Sequence, residues 1–196
     1  MTHRETSSHL PPPRETPLQR FGATLRAYRQ QRGLSQRALT ARTGIPSTYI
    51  SEIEQGRRNI AVLALLRLAH ALAIPAAWLL AGLAPHTPLP PSGVRAPLPH
   101  WRPQEAPPAP APGDPERLLH LLGATIRQYR QQQGLTHKAL AAKTGLDNSY
   151  IGEIERGERN VSVLNLVHIA EGLDLSVHQL LAPVDLSSHP SSPLPL

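Results

Sequence analysis

The feature that most constrains this chain is that it carries one stretch twice. Leu18 to Ala81 recurs without a gap as Leu119 to Ala182, each residue 101 positions on, as the pairs Gly33/Gly134 and Gly56/Gly157 show. Roughly half of the paired positions are identical, and they are the helix-ending glycines, the apolar periodic positions and a few charges, the set that two copies of one fold retain. Each copy, at about 65 residues, is near the lower limit at which a single core supports itself. The repeat therefore predicts two small domains of one kind.

Within each copy the apolar spacing is helical. Leu18, Phe21, Leu25 and Tyr28 recur at three- and four-residue intervals and stop at Gly33, and Leu119, Leu122, Ile126 and Tyr129 stop at Gly134. Ser35 and Thr136 stand where an N-cap is needed for short helices over 36–43 and 137–144, closed by Gly44 and Gly145. A further helix begins near Ser47, or after an Asp147 cap, and runs to Gly56 or Gly157. Two helices joined by so tight a glycine turn cross steeply, as in a helix-turn-helix. Helices over 62–73 and 76–80, with their repeats, complete five per copy.

Between and around the copies the composition changes. The expected domains are 18–82 and 117–183, with a proline-rich linker over 83–116 and disordered tails over 1–17 and 184–196. A proline-rich segment also suits SH3-type recognition, with a plain spacer the simpler reading. The chain has no cysteine, which removes disulfides, thiolate metal sites and cysteine nucleophiles. Its ten histidines follow no zinc-ligand spacing, and no G-x-S-x-G, phosphate-binding loop or carboxylate pair stands out. No metal, cofactor or enzymatic activity is expected. The start, Met1 to Arg14, lacks an apolar signal region, and the most apolar stretch, Ile60 to Ala84, is interrupted by Arg67, His70 and Pro75. A soluble cytoplasmic, nucleoid-associated protein with no membrane contact is the expectation.

The net charge of +6 is unevenly placed. The first copy has nine arginines against Glu52 and Glu54, a net +7, whereas in the second six basic residues balance six acidic ones. Such an excess suits a polyanion partner, and equally suits an arginine-rich solvated surface.

Three segments carry a family resemblance: Gly-Leu-Ser-Gln-Arg-Ala-Leu (33–39), Thr-Gly-Ile-Pro-Ser-Thr-Tyr-Ile-Ser-Glu-Ile-Glu-Gln-Gly (43–56) and Arg-Arg-Asn-Ile (57–60). The second copy offers Gly-Leu-Thr-His-Lys-Ala-Leu and Tyr-Ile-Gly-Glu-Ile-Glu-Arg-Gly-Glu-Arg-Asn-Val. Both resemble the phage repressor/Cro-type, or XRE, helix-turn-helix domain. The resemblance implies an all-α chain of two tandem five-helix, lambda-repressor-like domains and double-stranded DNA as partner. If Ile50 and Ile53 turn inward, helical geometry sends Thr48, Ser51, Glu52 and Gln55 outward. With Ser47 these form the candidate base-reading face, and Asn148, Ser149 and Arg156 are the counterparts in the second copy. The resemblance gives phosphate contacts to Gln36 and to the loop Arg57, Arg58 and Asn59, with Arg37 and Arg42 as helpers and Lys138, Arg159 and Asn160 in the second copy. It also implies structural ion pairs Arg29 with Glu54 and Arg130 with Glu155. Tyr28, Tyr129 and Trp78 are expected to be core residues rather than stacking platforms.

The second copy departs from the first where function is expected. Gln36 becomes His137, Thr48 becomes Ser149, Ser51 becomes Gly152, Gln55 becomes Arg156 and Arg57 becomes Glu158, while Asp147 brings a negative charge to the start of the recognition helix. Leu118 and Leu121 stand where the first copy has Pro17 and Arg20, as apolar surface for a partner. The expected function is a sequence-specific transcriptional regulator, of repressor type. Its first domain reads the major groove, and its second binds another half-site more weakly or mediates homodimerisation. The linker, as coil, would span roughly 30 to 35 Å, close to the ~34 Å between half-sites one turn apart. The alternative is an antitoxin-like or adaptor protein whose domains bind a protein partner.

Overall fold

A computed structural model of the chain describes residues 15–81, 83 and 114–184. Most of the expected linker and most of each expected tail lie outside these residues; of the parts described, Pro17 belongs to the first helix and Val184 is buried. Among the described residues there are ten helices and no named strand. Domain 1 comprises α1 (Pro17–Gln31), α2 (Gln36–Thr43), α3 (Ser47–Glu54), α4 (Val62–Leu72) and α5 (Ala76–Leu79). Domain 2 repeats them as α6 (Pro115–Gln132), α7 (His137–Thr144), α8 (Asn148–Glu155), α9 (Val163–Gly172) and α10 (Val177–Leu181).

The helix boundaries have local causes. Thr16 and Gln19 form a reciprocal capping box at the head of α1, with Pro17 in the first turn. Pro115 opens α6 under an Asp114 cap, so both first helices start slightly before the stretches assigned from periodicity. Ser35 and Thr136 accept from the third backbone N–H of α2 and α7, and Gly44 and Gly145 end those helices at φ 70° and 69°. Where α1 crosses α3 the backbones touch: a Cβ on Gly22 would lie 2.3 Å from the Ile53 carbonyl oxygen, and Gly123 repeats this against Ile154. Glycine is required there because nothing larger fits between the helices.

Each domain packs its helices around its own apolar residues. Phe21, Leu25, Leu39, Ile50, Ile53, Leu65 and Leu68 are buried in domain 1, and Leu122, Ile126, Leu140, Ile151, Ile154, Leu166 and Ile169 in domain 2. Tyr28, Trp78 and Tyr129 are partly buried against this core, and the rings of Tyr28 and Trp78 stack at 6.4 Å. Leu118, read from sequence as available to a partner, is buried because α6 lies against α10; Leu121 alone of the two stays exposed.

The two domains also pack on one another. Ala61 forms an antiparallel bridge with Ser162, its own repeat equivalent. The Val62 N–H donates to the Val161 carbonyl at 2.9 Å, and the Val163 N–H donates to the Ile60 carbonyl at 2.8 Å. Each bond is the image of the other under the repeat, the signature of a two-fold isologous contact, formed here within one chain. Helices α4 and α5 face α9 and α10, and the buried apolar residues of both domains form one continuous cluster. The spacing between domains is consequently set by this contact, not by a coil spanned through the linker as the sequence suggested. Burial of the apolar faces of α4, α5, α9 and α10 supplies the driving force.

Candidate nucleic-acid interface

Burial of Ile50 and Ile53 turns one side of α3 outward. Ser47, Thr48 and Gln55 are exposed on that side, and Ser51 and Glu52 are half-buried. Two internal contacts order them: Gln55 Nε2 donates to Ser51 Oγ at 2.9 Å, and Arg58 Nε donates to Glu52 Oε2 at 2.5 Å. Arg58 also lies over the Tyr49 ring, 4.6 Å from its centroid. Exposed Arg37 and Arg57 stand nearby in sequence and make no ion pair among the described residues. The side of domain 1 carrying α3 is thus a hydroxyl and amide face bordered by guanidinium groups.

Beneath that face an ion pair locks α1 to α3. Arg29 donates through Nε and Nη2 to both Glu54 oxygens, at 2.5 and 2.9 Å, and through Nη1 to the Leu34 carbonyl at 2.7 Å. Arg130, Glu155 and the Leu135 carbonyl repeat the arrangement in domain 2. The structure thus brings together both pairs named from the resemblance. It also adds a third member, since Gln36 donates to Glu54 Oε2 at 2.9 Å and the His137 ring lies 2.8 Å from Glu155 Oε2. Gln36, at the first position of α2, is therefore tied to the α1–α3 lock as well as standing at the helix N-terminus.

Other assigned residues meet different neighbours. Asn59 and Asn160 lie between the domains: Asn160 Oδ1 accepts from the Leu63 N–H at 3.2 Å, and Asn59 Oδ1 accepts from the Leu164 N–H at 3.4 Å. Each amide oxygen thereby serves the helix start of the other domain. Arg42 reaches back to the Ala71 carbonyl at 3.4 Å.

The equivalent face of domain 2 is occupied by its own charges. Asp147 Oδ1 accepts from both the N–H and the hydroxyl of Ser149. Those hydrogen bonds hold the Asp147 carboxyl below its ordinary value. Arg156 donates through Nε and Nη2 to both oxygens of Glu158, at 2.7 and 2.8 Å, and Arg159 pairs with Glu153 at 2.6 Å. Asn148 and Lys138 are exposed. Among the described residues no group of three or more His, Asp or Glu is placed to hold a metal, and no helix is long and apolar enough to cross a membrane.

Sequence reasoning missed the 60–62 and 161–163 pairing segments and the roles of Gly22 and Gly123. The apolar Ile60 and Val161, which stand just before α4 and α9 and belong to neither helix, were a signal for the first.

The helix-turn-helix family model HTH_3 matches residues 25–79 and again 126–180, together more than half of the 196-residue chain. The control protein C.SmaI of Serratia marcescens is 41% identical over 64 residues, covering 33% of this chain and 76% of the relative. The HTH-type transcriptional regulator SinR of Bacillus subtilis is 40% identical over 62 residues, covering 31% of this chain and 56% of the relative. Among solved structures, SinR in complex with DNA is 41% identical over 31% of this chain and 97% of its own, with a TM-score of 0.30. The restriction-modification controller C.AhdI from Aeromonas hydrophila is 42% identical over 32% and 94%, with a TM-score of 0.31. Each of these aligns with about a third of the chain, the length of a single copy. The twofold family match, laid on two five-helix domains of one plan, makes this chain a member of the HTH_3 family, the Cro/C1-type or XRE helix-turn-helix proteins.

Proposed function

We propose that the chain is a sequence-specific DNA-binding transcriptional regulator, acting as a repressor in the cytoplasm on the nucleoid, whose two domains engage adjacent half-sites as one body. The observation that carries this reading is the outward side of α3, where Ser47, Thr48, Ser51, Glu52 and Gln55 are grouped, with Arg58 held beside them by Glu52, Arg57 exposed next to it in the chain and Arg37 exposed on α2. Hydroxyl and amide groups of this size suit base edges in the major groove, and the guanidinium groups suit phosphate. The names and the DNA-bound structure among the relatives support the same partner.

Intrachain pairing takes the place of a homodimer through domain 2. Gln55 and Arg156 each stand six residues before the pairing residues Ala61 and Ser162. Two arms of at most about 20 Å each can therefore reach half-sites about 34 Å apart. The net +7 of domain 1 supplies most of the phosphate attraction, so domain 1 leads and domain 2 follows. A rigid two-domain body seated on a promoter excludes polymerase, which is the basis for assigning repression.

Selection of bound sites from random duplexes, followed by titration across a salt series, tests the reading. Arg57→Ala is expected to weaken all duplexes alike and flatten the salt slope by about one, as loss of a phosphate contact does. Thr48→Ala is expected to relax preference at particular base pairs. Absence of salt-sensitive binding to any duplex would refute the assignment and favour a protein partner.

A further inference from the structure

Among the positions on and beside the reading face at which the second domain differs from the first, three are joined by the structure into one unit. Arg156 replaces Gln55, Glu158 replaces Arg57 and Gly152 replaces Ser51. Arg156 is held at both Nε and Nη2 by the two oxygens of Glu158. Its Nη1 lies against α8, 3.2 Å from where a Cβ on Gly152 would sit. A side chain at 152 would make the guanidinium shift by a few tenths of an ångström, so glycine leaves it room to lie across the helix at the position where domain 1 has Ser51. In domain 1 the same place is filled by Gln55, held by its hydrogen bond to Ser51 Oγ. Each domain therefore carries one long polar side chain at the end of its recognition helix, fixed by a neighbour.

What remains free on each side chain differs. A guanidinium has five N–H donors, of which Glu158 takes two. The edge made by Nη1 and the remaining Nη2 hydrogen then offers paired donors matching O6 and N7 of guanine. Gln55 uses one amide hydrogen on Ser51 and keeps the other together with its oxygen, a donor and acceptor pair matching N7 and N6 of adenine. The side chains of Arg156 and Glu158 are 56% and 52% exposed, so the pair stands at the surface beside the end of α8.

We infer that the operator is asymmetric in a defined way: at the equivalent position of its two half-sites, domain 1 specifies adenine through Gln55 and domain 2 specifies guanine through Arg156, which Glu158 orients. The inference rests on the DNA-binding reading above. It gives Glu158 a positioning role, whereas from charge alone it only weakens domain 2. It also makes domain 2 a reader in its own right.

Site selection with the full chain, followed by affinities for duplexes differing only at that position, tests it. The wild type is expected to prefer guanine in one half-site by between about fivefold and a hundredfold, the range for a good bidentate pair. Arg156→Gln is expected to abolish that preference and shift it toward adenine while leaving the other half-site unchanged. Glu158→Ala separates orientation from charge: loss of a carboxylate strengthens binding to every duplex, while the guanine preference falls several-fold. Ser51→Gly, Gln55→Arg and Arg57→Glu together in domain 1 are expected to convert its adenine to guanine. If Arg156→Gln weakens all duplexes equally, or Glu158→Ala leaves the base ratio intact, the inference is overturned while DNA binding stands. If the wild type selects no sequence, the function reading falls and this inference with it.

Discussion

Glu54 accepts hydrogen bonds from Arg29 and Gln36 at the crossing of α1 and α3. Burial alone would push its carboxyl up, but those hydrogen bonds and the Arg29 charge outweigh burial and hold it below the ordinary value of 4.5. Glu155 is held down in the same way by Arg130 and His137. A carboxyl with a depressed folded pKa lends stability that is complete above its unfolded value and is lost as pH falls through the folded one. Urea midpoints are therefore expected to be level above about pH 5 and to fall below pH 4.5. Glu54→Gln is expected to reduce that acid sensitivity and to lower stability at pH 7 by about 3 kcal/mol or more, because it leaves the Arg29 charge buried without its partner. The partners were legible in sequence through family resemblance. The Gln36 and His137 contacts were not, because a side chain at a helix start can turn to phosphate or to its own core, and only packing decides which.

The helices themselves could be read from periodicity and caps. Ser35, Thr136 and the glycines at 44 and 145 bound α2 and α7 at the residues assigned from sequence. What could not be read was how α4 begins. Its N-cap, Ala61, has no side-chain oxygen, and the Leu63 N–H is satisfied from the other domain by Asn160. In α9, Ser162 caps its own helix through Asn165 while Asn59 reaches Leu164. The two asparagines are thus repeat equivalents with unequal burdens. Asn160→Ala is expected to destabilise by about 0.5–2 kcal/mol, the worth of a sole side-chain cap, and Asn59→Ala by clearly less. Denaturant titration of the two variants decides this, and equal losses would show that the trans contact does not cap α4. Asp147 shows the reverse case, a cap visible in sequence whose second hydrogen bond, to the Ser149 hydroxyl, needed the structure.

At the scale of the molecule, two domains of about 65 residues share one buried cluster. Each thereby covers apolar surface that it could not bury alone, and their being on one chain keeps the two at high effective concentration. Uncut protein is expected to sediment as a single chain and to titrate an operator with one-to-one stoichiometry. After cleavage at a protease site introduced within residues 84–113, operator affinity at nanomolar protein is expected to fall by about 10²- to 10⁴-fold, the usual worth of tethering. Mobility shift before and after the cut measures it, and unchanged affinity would show that one domain binds without the other.

The repeat, the period of apolar residues and the capping chemistry determined by themselves the ten short helices of the described residues, in two copies of one domain. These are local properties, set by neighbours within a turn or two of the helix. The tertiary structure alone decided that Ala61 meets Ser162, that Leu118 is internal and that Arg156 lies over Gly152 against Glu158. Each depends on which apolar faces find one another across long stretches of chain. That choice follows from shape and total burial, and residue spacing does not encode it in readable form.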